Sequence, residues 1–298
     1  MNVRLSLFAL PAAAAIAWPQ DASAQVTIAS DSFELADHPT GDRSVVTGGA
    51  SGLRFFTRNA IIPNYSASII NDSGPGGLGS FVLNHSDSTG TSGNQIIGLL
   101  PQPLTLASPG DFIRLEFTFR FLDIDTLSNA GFRFGFEGSN GTLVTGDGQT
   151  TVSDNDLGYY AQTGVGTTAP LNNNTLYREN GGTSPILGGT DRTTVTASSA
   201  GVAINDLLAH TASFTITRGT GTNVSLSLSY DGGPAITGTA TTVPYYTFDE
   251  IAFGNGFVAD AVDFNIDNVS VVTNVPEPSA AVLGLLVVPF IAGRRRRA

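Results

Sequence analysis

The chain contains no cysteine, so disulfides and thiolate metal sites are excluded outright. It contains no lysine either: all 14 basic residues are Arg. The single Trp, Trp18, stands near the N-terminus, so residues 25–274 offer no indole platform. Charged residues make up only 13% of the chain, and no helical periodicity of useful length appears outside the two ends. What is abundant is Gly, at 35 residues, together with frequent Thr, Ser and Asn. That is the composition of sheets joined by many tight turns. An apolar content of 41% is too high for a disordered chain, and 18 Phe supply much of the core. Between Gln25 and Asn274 nine Arg face 23 acidic residues. Such a body repels nucleic-acid phosphates and anionic lipid, and suits solubility and divalent cations.

Both ends carry addresses. Residues 1–24 read as a signal peptide: Arg4 as the positive n-region, Leu5 to Ala17 as the apolar h-region, and Ala22-Ser23-Ala24 as the cleavage site, with maturation at Gln25. Residues 275–298 hold Val275, Pro276, Glu277 and Pro278, an apolar run from Ala280 to Ala292, and the basic cluster Arg294, Arg295, Arg296 and Arg297. The apolar run is shorter than the ~20 residues of a stable spanning helix, and Pro289 interrupts it. The Arg cluster holds the tail at the cytoplasmic face. A plain C-terminal anchor is the alternative reading. In order and spacing the tail resembles the PEP-CTERM sorting signal. That resemblance implies signal peptidase and an exosortase as processing partners. It also implies transient retention in the inner membrane through the C-terminal segment alone, and delivery to the cell surface or extracellular matrix.

Between the ends, residues 25–274 alternate with period two. Ile113, Leu115, Phe117, Phe119 and Phe121 share one face, and Arg114, Glu116, Thr118 and Arg120 the other. Phe132, Phe134 and Phe136 alternate with Arg133, Gly135 and Glu137. Phe214 and Ile216 precede Gly219-Thr220-Gly221, and Val224, Leu226, Leu228 and Tyr230 follow it as the second arm of a hairpin. Strands with one apolar and one polar face predict antiparallel sheets packed face to face, each wet on its outer side. Residues 161–201 read as long loops with one strand around Thr193 to Ala197. In the last strand Phe264 and Ile266 are out of phase with Val269 and Val271, which predicts a bulge at Asp267-Asn268.

The order of these pieces resembles the concanavalin-like (laminin-G-like) jelly rolls. The residues that carry it are Tyr230 to Gly233, Phe248-Asp249-Glu250-Ile251-Ala252-Phe253-Gly254, and Phe264-Asn265-Ile266-Asp267-Asn268-Val269. The expected fold is an all-β antiparallel sandwich flanked by an N-terminal signal helix and a short C-terminal hydrophobic helix. Near the N-terminus, Asp31-Ser32-Phe33-Glu34 looks like the opening strand of jelly-roll carbohydrate-binding modules. In those modules an early Glu and a late Asp share a structural Ca²⁺; Glu34 and Asp267 match. Asp123/Asp125, Asp154/Asn155/Asp156 and Asp263/Asp267/Asn268 are further oxygen-rich pairs, which turn chemistry explains equally well.

Catalysis finds little support in the residues. Glycosidases of this fold class align carboxylates along one strand, and that signature is missing. Glu116 and Glu137 read instead as a cross-strand ladder with Arg114, Arg120 and Arg133 on wet faces of neighbouring strands. His38, His85 and His210 are isolated and read as surface-loop residues. For sugar, Tyr159, Tyr160, Tyr177, Tyr245 and Tyr246 are the candidate platforms. The expectation is a non-catalytic surface or matrix protein acting in adhesion or exopolysaccharide association. A stand-alone carbohydrate-binding module is the alternative, and a polysaccharide hydrolase or lyase the second alternative.

Overall fold

The computed structural model describes residues 24–44, 52–61, 65–87, 94–123, 131–164, 174–182, 187, 191–198, 204, 206–255 and 263–275. The segments expected to be a signal peptide, before Ala24, and a sorting tail, beyond Val275, with the two helices expected there, lie outside the described residues.

Two antiparallel sheets make up the body. The first contains β1 (Val26–Asp31), β3 (Tyr65–Asp72), β4 (Gly79–Asp87), β6 (Phe112–Phe121), β11 (His210–Arg218), β12 (Val224–Tyr230), β13 (Ile236–Ala240) and β15 (Phe264–Thr273). Its order is β13-β12-β11-β6-β15-β4-β3, with β1 also paired to β15. The second contains β2 (Arg54–Thr57), β5 (Gln95–Thr105), β7 (Gly131–Gly138), β8 (Leu157–Gly164), β9 (Asn174–Glu179), β10 (Arg192–Ser198) and β14 (Thr247–Asn255). Its order is β10-β9-β8-β7-β14-β5-β2. The one helix among the described residues, α1, is a single turn at Thr150–Ser153. The fold is therefore the expected antiparallel β-sandwich of jelly-roll type, with strands remote in sequence lying side by side.

Phenylalanines interlock between the sheets. Phe117 of β6 meets Phe134 of β7 edge-on with ring centroids 4.8 Å apart, and Phe253 of β14 at 5.1 Å. Phe119 stacks on Phe132 at 5.2 Å. The predicted bulge is present: pairing of β15 with β6 slips between Asp267 and Ser270, and Asn268 takes a φ of 51°. All four apolar residues, Phe264, Ile266, Val269 and Val271, are thereby buried in the core. At the same place the partner on the other edge of β15 changes from β4, opposite Phe264–Ile266, to β1, opposite Val269–Thr273.

Three expectations need correction. Residues 161–201 hold β9 and the end of β8 besides the expected β10, because strands buried on both faces lose the alternation that reveals them. Glu116 and Glu137 are not on neighbouring strands, since β6 and β7 belong to different sheets. Among the described residues the regular wet outer face is found in the first sheet, while the middle of the second sheet is covered on both sides. In the first, β6 alternates between buried and half-buried residues, whereas β7 is buried on both sides. Segment 139–156 accounts for this. Val144 is buried, and Val152 packs, against Phe56, Ile97, Leu99, Tyr160 and Ala252 on the outer face of the second sheet. The segment is pinned by Arg43 to Asp147 at 2.7 Å, by the Thr57 amide to Asp147 at 2.8 Å, and by Arg58 to Asp154 at 2.7 Å.

Candidate functional site

The strongest candidate is an open groove of about 540 Å³ at one end of the second sheet. The turn after β7 contributes Ser139, Asn140 and Gly141, and β14 with its leading loop contributes Tyr245, Tyr246, Thr247 and Asp249. The turn needs its residue types: Asn140 and Gly141 have φ of 48° and 96°, a left-handed backbone that Asn and Gly tolerate best. Asp249 accepts hydrogen bonds from the Ser139 amide and hydroxyl, both at 2.7 Å, and so clamps the turn to the strand. The guanidinium of Arg218 lies 4.2 Å from the Tyr246 ring centroid, and that of Arg178 lies 5.9 Å from the Tyr245 ring. The Tyr245 amide donates to the Tyr159 hydroxyl at 3.0 Å. Both tyrosines are half-buried, with ring surface left on the groove.

Of the five tyrosines singled out from the sequence, then, Tyr245 and Tyr246 border a groove. Tyr159 and Tyr160 do not, since both are fully buried, Tyr159 in the core and Tyr160 under the covering segment, stacked on buried Tyr177 at 5.0 Å. An aromatic pair in consecutive strand positions points to opposite faces, and here both faces are covered. Sequence reasoning missed Asn140, Asp249 and Arg218 as groove residues. No local sequence pattern shows that the Ser139-Asn140-Gly141 turn meets the end of a strand a hundred residues later.

Glu137 is the largest departure. Its carboxyl is fully buried on the outer face of β7, directly paired across the ladder with Glu250 and lying over Gly158 of β8, where any Cβ would collide with it. Burial pushes its pKa well above the ordinary carboxyl value, and Glu179, Asp156 and Glu250 push it further. Glu250 and Asp156 are also buried, and burial is the first cause that raises each. Arg133 is buried nearby, donating to the Leu187 carbonyl and to Gln162, and burial lowers its pKa to about 10.

The histidines are not surface-loop residues either: His38 is in a loop but buried, and His85 and His210 are in β4 and β11. His38 is buried against Asp31, with Nε2 2.9 Å from Oδ2. His85 stacks on Phe264 at 4.4 Å inside the sandwich, and His210 sits between Asp206 and Asp231 at 2.9 and 2.8 Å.

Glu34 and Asp267 come within electrostatic reach at the bulge. Asp267 is raised to about 6, first by burial, then by Glu34, Asp31 and Asp72. Asp31 is committed to His38, Asp72 to Arg120 at 2.8 Å, and Asp267 to the Asn268 amide at 2.7 Å. Among the described residues no group of three or more His, Cys, Asp or Glu converges as metal ligands do. Of the other acidic candidates, Asp154 pairs with Arg58, and Asp263 accepts from Ser86 at 2.8 Å. Asp125, Ala22, the Pro-Glu-Pro residues and Arg294–Arg297 lie outside the described residues.

No family model matches the chain, and no curated protein matches it. Solved structures with a similar course include lectin II from Ulex europaeus, at 13% identity, with 74% of this chain and 98% of that one covered and a TM-score of 0.40. A carbohydrate esterase from the Shiga toxin-encoding bacteriophage phi24B is 16% identical, covering 85% and 100%, at 0.45. The metal-free carbohydrate recognition domain of Emp46p is 16% identical, covering 70% and 87%, at 0.42. Identities and scores this low leave the reading of the site to its own residues.

Proposed function

We propose that this is a non-catalytic exported protein of the cell surface or extracellular matrix, whose sandwich binds polysaccharide across the Tyr245–Tyr246 groove. The observation that carries the reading is the groove itself. Two partly exposed rings stand beside Asn140, Thr247, Asp249 and Arg218, which together supply donors and acceptors for sugar hydroxyls. The two carboxylates with the best cross-strand placement for acid–base work, Glu137 and Glu250, are sealed from any substrate. Export, exosortase processing and release from the membrane belong to the same proposal and rest on the two end segments.

A glycan array probed with the purified protein tests it. Alanine at Tyr245 and at Tyr246 is expected to weaken binding to the best glycan about tenfold each, given ~0.5–1.5 kcal/mol for an aromatic contact beyond its buried area. Arg114→Ala, on the outer face of the other sheet, is expected to leave binding unchanged. Equal binding by all three variants would place the ligand elsewhere.

A structural Ca²⁺ held by Glu34 and Asp267 is part of the proposal. It is supported by their proximity at the bulge and by oxygen donors suited to a hard cation, although two carboxylates are only part of the six to eight oxygens that Ca²⁺ takes. An ion bound only by the folded state adds RT ln(1 + [L]/Kd), about 2.7 kcal/mol at a hundredfold excess. Chelation is therefore expected to lower Tm by several degrees in the wild type and by little in Asp267→Ala. Melting curves that ignore the chelator would remove the ion from the account.

A further inference from the structure

We propose that Glu137, Asp156 and Glu250 form a latch held shut by protons, which seals segment 139–156 over the second sheet and shapes the tyrosine groove. The three carboxyls come from β7, from the loop before β8 and from β14, and meet beneath the covering segment. Glu137 and Glu250 are fully buried and Asp156 is 1% exposed. Neither oxygen of Glu137 has a hydrogen-bond partner. A buried carboxylate without a partner is so costly that it takes up a positive charge or pushes the structure open.

No such charge comes from the neighbouring side chains. The groups acting on Glu137 are Glu179 of β9, Asp156 of the covering loop and Glu250 of β14, all acidic. Those acting on Asp156 are Glu250, Asp249 and Asp154; Asp249 raises Glu250 further, while Asp156 and the Val144 backbone lower it. The nearest cations are engaged elsewhere: Arg133 with Leu187, Gln162 and the Tyr160 ring, Arg58 with Asp154, and Arg192 with Tyr160 and the Tyr177 ring. No three acidic side chains converge as metal ligands do among the described residues, so the proton is the counter-charge this arrangement holds as it stands.

The latch is wired to the groove through the backbone. Glu137 precedes the groove residues Gly138 and Ser139, Asp156 precedes Leu157, and Glu250 follows Asp249. Opening the latch would therefore move three parts of the groove wall together. All three carboxyls are raised above their unfolded values, so the stability tied to them is complete at acidic pH. It is lost progressively as pH rises from the ordinary carboxyl range into the alkaline.

Thermal melts from pH 5.5 to pH 9 test this on the full protein, on Glu137→Gln, and on the triple variant Glu137→Gln/Asp156→Asn/Glu250→Gln. An amide has the shape of the protonated acid and stays neutral at every pH. The wild type is expected to lose several degrees of Tm across the range, Glu137→Gln to lose less and melt above wild type at pH 9, and the triple variant to lose least. Repeating the series in Asp267→Asn and in Asp267→Asn/Glu179→Gln backgrounds removes the other buried carboxyls that are raised into this window. Hydrogen exchange of the wild type, corrected for intrinsic rates, is expected to show protection in 139–156 falling at pH 9 while the β11–β12 hairpin keeps its own. Parallel Tm–pH slopes in wild type and Gln variants, or unchanged protection in 139–156, would overturn the latch. So would millimolar Ca²⁺ restoring the alkaline Tm in the Asp267→Asn background but not in the triple variant, because the cluster would then be a cation site. The effect on glycan affinity, a loss at pH 9 that the triple variant escapes, rests on the proposed function. An array that shows no glycan bound at any pH, with melting and exchange as expected, removes that function and upholds the latch.

Discussion

Truncating Phe117 or Phe134 to alanine is expected to cost about 3–5 kcal/mol each. Both rings are buried, on strands from opposite sheets, and Phe117 alone lies within 6.2 Å of Phe119, Phe132, Phe134 and Phe253, centroid to centroid. Removing either ring opens a cavity at the interface where the sheets meet, and rigid strands on both sides collapse into it poorly. The two truncations are in contact, so the double variant is expected to cost less than their sum. Arg114→Ala and Glu116→Ala provide the contrast. Their ion pair, 2.9 Å long, stands on the outer face with side chains 25% and 43% exposed, and its loss is expected to cost under ~1 kcal/mol. Denaturant unfolding of the four variants checks the assignment, and near-equal costs for the two classes would overturn it.

Deleting residues 275–298 is expected to have the largest effect on where the protein goes. If the tail is an exosortase signal, the truncated chain is exported, loses its membrane-retained stage and reaches a different destination. Intact-mass analysis of the native extracellular form is then expected to show the four consecutive Arg missing. Fractionation and mass spectrometry read both outcomes. A mature extracellular protein still carrying Arg294 to Arg297 would remove sorting from the account.

The centre of the first sheet, β6, β11, β12 and β15, was legible almost residue by residue, while β3, β4 and β13 went unread. Its alternation from Ile113 to Phe121, the hairpin around Gly219-Thr220-Gly221, and the phase slip at Asp267-Asn268 all reappear in the pairing. A sheet with one face in the core and one in water writes its geometry into the sequence with period two. The second sheet was less legible. β8 and β9, covered on both faces, carry runs such as Leu157-Gly158-Tyr159-Tyr160-Ala161 in which buried positions do not alternate with wet ones. In the candidate site, Tyr245 and Tyr246 were readable as aromatic platforms for sugar. Their groove was not, because its other wall is the turn at Ser139 to Gly141, brought there by pairing between β7 and β14.

By itself the sequence determined the chemistry without cysteine, the acidic body, the interlocking phenylalanine core and the bulge that keeps the last strand in register. These follow from composition and from local periodicity, which act over a few neighbouring residues. Only the tertiary structure decided the fate of the polar positions on the second sheet. Arg133-Gly135-Glu137 has the pattern of a solvated face, yet Val144 and Val152 close over that side of the sheet and take Glu137 out of water. Period two tells which side chains share a face, and it carries no information about what a distant segment will later lay on top of them.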